Sequence, residues 1–197
     1  MKLLRNTILN RLRRLCLREE GSMSIEAMII VPILVWSMLG SWVYFDAFRA
    51  QFGNAKASYT LGDILSRESG YITDDYIDSL YTLQRFLASR PEDIRLRVSV
   101  IKYDEDDDAH YVVWSENRGG GGTIDDDDID NMRDRIPIMS DAGRAIIVQT
   151  SVDFEPVFGG AIGALTFDDF IVTRPRFSAQ VCFNTNASNP GPSTAIC

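Results

Sequence analysis

Ala27-Met-Ile-Ile-Val-Pro-Ile-Leu-Val-Trp-Ser-Met-Leu-Gly-Ser-Trp-Val-Tyr-Phe45 is a run of nineteen residues without a charge. As a helix it would be about 28 Å long at roughly 1.5 Å per residue, enough to span a bilayer core of about 30 Å. Ahead of it stand Lys2, Arg5, Arg11, Arg13, Arg14 and Arg18 against Glu19 and Glu20. A basic cluster of this kind stays on the cytoplasmic side, so the expected topology is N-in and C-out. Trp42, Tyr44 and Phe45 fall at the outer end, where amphipathic rings favour the headgroup level; Trp36 is nearer mid-span.

The residues just before the run, Gly21-Ser-Met-Ser-Ile-Glu26, carry the second signal. A secretory signal peptide places a small-residue cleavage site after its apolar region. Here the glycine and the glutamate precede that region, so a processing site would face the cytoplasm. Taken alone, Glu26 marks the hydrated edge of the span. Taken with Gly21, it acquires a role in assembly. A cut after Gly21 makes Ser22 the new N-terminus, with an amine of pKa about 8, and Glu26 becomes the fifth residue of the mature chain. A carboxylate and an ammonium are each costly alone in low dielectric and attract strongly together, so Glu26 would register one apolar helix beside another.

Glycine, glutamate five residues on, and then a long apolar helix resemble the processing site of type IV prepilins, which a prepilin peptidase cuts. Pro32 extends the match. Ile25-Glu26-Ala27-Met28-Ile29-Ile30-Val31-Pro32 resembles the Val-Glu-Phe-Ala-Leu-Val-Leu-Pro opening of TadE-like proteins, minor pseudopilins of the tight-adherence (Tad, or Flp) pilus. Ala27 stands where that family commonly has Phe, and the major Flp pilin is much shorter and resembles Glu-Tyr at this point. TadG-like relatives carry a much larger exported domain, so the length points to the TadE or TadF type. The resemblance covers about residues 18 to 50 and implies a bacterial inner-membrane protein whose partners are the prepilin peptidase, other pilins or pseudopilins and the Tad inner-membrane platform. The competing reading is an unprocessed single-pass periplasmic protein that binds or senses a ligand.

The expected organisation is a leader at 1–21, a membrane helix at 22–45 and an exported domain at 46–197. Six of the 20 basic and three of the 28 acidic residues precede Asp46, leaving 14 against 25 and a net charge of −11 beyond it. Such a balance argues against nucleic acid as a ligand, because phosphate binding needs a basic footprint. Cys16 lies in the leader, while Cys182 and Cys197 lie in the exported segment, where disulfides persist. An intrachain Cys182–Cys197 bridge would staple a loop rich in Asn, Pro, Ser and Gly; the alternative is two free or intermolecularly paired thiols.

Within that domain, Phe48, Phe52, Ala55, Tyr59 and Gly62 recur at helical spacing, so the N-terminal helix should continue as an amphipathic helix from Asp46 to about Arg67. Membrane helix and continuation together make the architecture of pilin-like proteins. Thr73-Asp74-Asp75 reads as an N-cap with an acidic first turn, followed by the apolar positions Ile77, Leu80, Leu83, Phe86 and Leu87 up to Pro91. Ile94, Leu96, Val98 and Val100 alternate with Arg95, Arg97 and Ser99, and His110 to Ser115 follows an acidic loop, which predicts a β-hairpin. Asp125 to Arg135 suggests a short helix, and Ala145 to Phe154, Asp168 to Thr173 and Phe177 to Phe183 suggest further strands. The fold class is α+β, with a long N-terminal helix packed on a small antiparallel sheet.

Other polar features carry little chemistry. Asp104-Glu-Asp-Asp-Asp108 and Asp125-Asp-Asp-Asp128 lack the alternating ligands and central glycine of an EF-hand loop, and read as solvated, mutually repelling loops. His110, the single histidine, has no second histidine for a zinc site and reads as a surface or sheet-edge residue. Gly119 to Gly122 lacks the Lys-Ser or Lys-Thr of a phosphate loop and reads as a flexible linker. No metal, cofactor or catalytic residue is expected, and the chain does not read as an enzyme.

Overall fold

The computed structural model describes residues 22–88, 94–158 and 163–197. The chain divides into two compact units, Met1–Phe45 and Asp46–Cys197. Helix α1 (Ser22–Ser66) contributes to both. It is followed by β1 (Ile72–Thr73), α2 (Asp74–Ala88), β2 (Ile94–Asp104), β3 (Ala109–Arg118), α3 (Asp126–Asp130), β4 (Arg144–Phe154), β5 (Leu165–Thr173), β6 (Phe183–Asn184) and β7 (Ala195–Ile196). The fold is α+β.

In the second unit, a four-stranded antiparallel sheet runs in the order β3-β2-β4-β5. The alternation of apolar and polar residues along β2 and β4 gives it two unlike faces. Leu96, Val98 and Val100 from β2, with Ile146 and Val148 from β4, point to an inner face, where they meet Leu61 and Leu65 of α1 and Ile77 and Leu80 of α2. Each of these is almost fully buried, and this cluster is the main core. A register shift between Val100 and Ile101 leaves Val113 as the extra residue of β3, since Val100 pairs with Trp114 and Ile101 with Val112. Such a bulge moves neighbouring side chains to opposite faces. Trp114 therefore joins the inner core, while Val112 packs with the cluster on the outer face.

Helix α1 does continue beyond Asp46, but its buried face is not the expected one. Ala47, Ala50, Asn54, Ala57, Ser58, Leu61 and Leu65 are buried, whereas Phe48, Phe52 and Tyr59 are exposed. Close approach of α1 to α2 and to the sheet selects small side chains. A Cβ on Gly53 would sit 3.3 Å from the carbonyl oxygen of Ala88, and one on Gly62 would sit 3.4 Å from Ile171 Cγ2. A polar cluster then fixes the contact. Asn54 Nδ2 donates to Asp169 Oδ2 at 2.7 Å and to the Phe167 carbonyl at 3.1 Å. Ser58 Oγ donates to the Asn54 carbonyl at 2.9 Å and lies 2.5 Å from Thr150 Oγ1.

After α1, the Glu68 carboxylate accepts from the backbone N–H of Ser69 at 3.0 Å and of Gly70 at 2.9 Å, turning the chain toward β1. These bonds, that of Gly70 foremost, lower the Glu68 pKa, and burial together with Glu68 pushes the Tyr76 hydroxyl up to about 12. Thr73 caps α2, its Oγ1 accepting from Tyr76 N at 3.4 Å. The buried positions of α2 are Ile77, Leu80, Gln84 and Ala88. Phe86, expected on that stripe, is exposed, and its place is taken by Gln84, which donates to the Arg95 carbonyl at 3.1 Å. The expected stop at Pro91 lies outside the described residues.

Phe177 to Phe183 is not a strand. Only Phe183 and Asn184 pair, parallel with Ile72 and Thr73 and antiparallel with Ala195 and Ile196, in a small second sheet. Trp114 explains the irregular path, since its indole N–H donates to the Val181 carbonyl at 2.9 Å and its ring stacks on Phe183. Gly119 to Gly122 is a shaped turn and not a flexible linker. All of these glycines have positive φ, a Cβ on Gly119 would fall 2.0 Å from the Ile94 carbonyl oxygen, and Arg97 Nε holds the Gly122 carbonyl at 2.8 Å.

Candidate functional site: the apolar N-terminal helix

Between Met23 and Phe45 the apolar side chains of α1 are turned outward, with the exception of Val43, which is buried. Met28, Trp36, Met38, Trp42 and Phe45 are each about two-thirds to four-fifths exposed. Soluble monomers rarely leave so large a contiguous apolar surface in water. The helix is long and apolar enough to cross a membrane, where the same surface has no hydration cost and every backbone group is satisfied within the helix.

Pro32 lies inside α1, three turns before its middle, and the helix runs through it. It removes one backbone donor, a loss that membrane helices accommodate. Ser41 Oγ returns its hydrogen bond to the Ser37 carbonyl at 2.9 Å, and a Cβ placed on Gly40 would touch nothing within 4 Å. Ser37, Gly40 and Ser41 thus leave a shallow stretch on which another helix could approach closely. Glu26 is exposed and has no hydrogen bond or ion pair among the described residues. Ser22 is the first residue of α1, and Gly21 with the basic leader lies outside the described residues.

The remaining singled-out residues serve the fold. Cys182 and Cys197 are joined by a disulfide, with Cα atoms 4.5 Å apart. The first acidic run is not simply solvated. Tyr103 Oη donates to Asp108 at 2.8 Å, Tyr111 Oη donates to Asp107 at 2.9 Å, and Arg133 pairs with Asp108. The Tyr103 hydrogen bond first, and then Arg133, lower the Asp108 pKa. The second run starts α3 through a capping box: Asp125 accepts from Asp128 N at 3.0 Å, and Asp128 accepts from Asp125 N at 3.3 Å. Asp126 reaches the edge strand and accepts from Val112 N at 2.6 Å. Acidic residues here satisfy backbone donors and hydroxyls, and among the described residues no group of three or more His, Cys, Asp or Glu is arranged to hold a metal ion.

His110 lies on edge strand β3 but is buried, 7% exposed, and its ring meets Tyr103 at 5.0 Å. Burial first, then Arg133, lowers its pKa, with Asp130 and Asp108 acting in the opposite sense. The bulge at Val113 accounts for its burial, because it turns this end of β3 toward the segment that covers the outer face.

Comparison with known protein families, curated proteins and solved structures gave no match.

Proposed function

We propose that this chain is a minor pseudopilin of the TadE/TadF type, anchored in the bacterial inner membrane with its N-terminus in the cytoplasm and residues 46–197 in the periplasm. A prepilin peptidase cuts after Gly21. Ser22 then starts the mature protein, and the Glu26 carboxylate meets a neighbouring subunit's N-terminal ammonium within the apolar layer. The helix from Ala27 to Phe45 serves first as the membrane anchor and then as the packing surface in a Tad (Flp) pilus or its inner-membrane platform. The role is structural, in pilus assembly and adhesion, and involves no catalysis.

The observation that carries this reading is the junction itself: a processing-type glycine, then a glutamate that has no partner among the described residues, in the first turns of a helix whose apolar side chains from Met23 to Trp42 are exposed. A bare carboxylate at the edge of an apolar surface is costly until it is paired. An assembly of like helices supplies the partner.

The test separates processing from assembly. Gly21→Trp should block the cut, because a bulky side chain replaces the hydrogen at the scissile position. Glu26→Ala should leave the cut largely intact and reduce the number of pili on cells. Normal piliation in the Glu26→Ala strain would remove the assembly role.

A further inference from the structure

The outer face of the four-stranded sheet is only half covered. Ile101, Ala145 and Ile147 are sealed by Ile124, Ile129 and Ile136 of the segment around α3. The other half is a groove of about 550 Å³, within the roughly 300–1,000 Å³ range of small-ligand sites. Its floor consists of two rows in register. Arg97 pairs with Gln149, which pairs with Phe170; Arg95 pairs with Ser151, which pairs with Asp168. Arg135 overhangs one end, its guanidinium carbon 4.2 Å from the Phe170 ring centroid.

The charges in this groove are unevenly used. Arg95 is committed, donating to Asp153 at 2.8 Å and to Ser151 at 2.9 Å, though its Nε is buried without a partner. Arg97 gives its hydrogen bonds to neutral acceptors: the Gly121 and Gly122 carbonyls and Gln149 Oε1 at 3.2 Å. Among the described residues, neither Arg97 nor Arg135 has a carboxylate within ion-pair distance, in a domain whose net charge is −11. A guanidinium held by neutral dipoles is fixed in place while its charge stays unneutralised, which suits it to capture a planar carboxylate. Opposite these cations, Asp168 is exposed and makes no hydrogen bond among the described residues.

We infer that this groove binds a short acidic saccharide of the uronate type, with its carboxylate on Arg97 and Arg135 and its hydroxyls on Gln149, Ser151 and Asp168. The mixture of groups selects this chemistry. Asp168, an acceptor only, needs hydroxyl donors, which a uronate ring presents beside its carboxylate and which the ionised groups of phosphate polymers and acidic peptides do not supply. Gln149 and Ser151 both donate and accept, as a polyhydroxylated ring requires. The glycine turn leaves Gly120 with open space around its Cβ position, so a ring can lie against bare backbone. The site is independent of whether the N-terminus is processed, and it gives the exported domain a binding role of its own.

The test is titration of the full-length protein in detergent micelles with trigalacturonate, alongside its methyl ester, penta-glutamate and inorganic phosphate. Saturable binding of trigalacturonate is expected, with at least about a tenfold loss for the methyl ester and for Arg135→Gln. Arg97→Gln should lose as much, and Arg174→Gln, outside the groove, should bind as the wild type does. Arg135→Gln decides the matter if Arg97→Gln disturbs the glycine turn, since Arg135 does not hold that turn. Absence of saturable binding, equal binding of the ester, unchanged binding by Arg135→Gln, or equal affinity for penta-glutamate or phosphate would each overturn the assignment.

Discussion

Replacing Asn54 with alanine removes the polar link between α1 and the sheet and leaves the Asp169 carboxylate facing the helix without its donor. Asn54 is fully buried. Its two amide hydrogens serve the Asp169 carboxylate at 2.7 Å and the carbonyl of Phe167 at 3.1 Å. A hydrogen bond to a charged group is worth about 1.5–3 kcal/mol and a neutral one about 1 kcal/mol. Asp169 is only half-buried, so solvent screening discounts the first figure. Asn54 Oδ1 is itself buried without a partner, which offsets part of the second. The expected net loss is about 1–3 kcal/mol at neutral pH. The loss should also depend on pH. Burial raises the Asp169 pKa and the Asn54 bond lowers it, so removing Asn54 raises it further. A carboxyl with a raised folded-state pKa takes up its proton more readily in the folded state, and stability falls as pH rises through the window above its ordinary 3.8. Urea unfolding of the full chain in micelles should therefore show a larger deficit for Asn54→Ala near pH 7 than near pH 4. Adding Asp169→Asn should recover part of the deficit at the higher pH. A deficit below about 0.5 kcal/mol, the scale of an ordinary surface substitution, or one equal at both pH values, would refute the reasoning.

Other consequences can be checked with the same preparation. With its pKa below the ordinary 6.5, His110 is protonated first in the unfolded chain. Its contribution is therefore complete above about pH 6.5 and is lost as pH falls below that value, so His110→Phe should flatten the acid side of a stability-versus-pH curve; an unchanged slope would exclude the histidine as its source. Gly119→Ala should destabilise by at least about 1 kcal/mol more than Gly120→Ala, because a Cβ meets the Ile94 carbonyl at the first position and open space at the second; equal midpoints would contradict this. Replacing Cys182 and Cys197 together by serine opens a 15-residue separation, for which chain entropy gives up to about 3 kcal/mol. Hydrogen exchange should then rise in residues 182–197 before it rises in β2 or β4, and uniform loss of protection would count against so local a role.

The long helix, α2, the β2–β3 hairpin and β4 were legible because each carries its own periodicity. Four alternating apolar residues from Ile94 to Val100 suffice for β2. Other features depend on partners distant in sequence. The buried stripe of α1 is made of alanine, serine, asparagine and leucine, so reading by hydrophobicity chose the aromatic stripe of Phe48, Phe52 and Tyr59, which faces outward. Phe177 to Phe183 has strand-like composition, but Trp114 and the parallel pairing with β1 decide its path. The acidic runs look like charge clusters in sequence, yet individual aspartates are bound to Tyr103, Tyr111, Val112 N and the start of α3. The arginine groove had a partial signal in Arg95 and Arg97 two residues apart on one face of β2. Its other members, Gln149, Phe170 and Arg135, come together only through strand register.

The central claim concerns the junction at Gly21, and the most direct measurement is N-terminal sequencing with intact mass on protein taken from its native membrane, with and without the resident prepilin peptidase. The account predicts a chain starting at Ser22 only where the peptidase is present. A start upstream of Ser22 in both samples would contradict it, leaving an anchored periplasmic protein that keeps its leader.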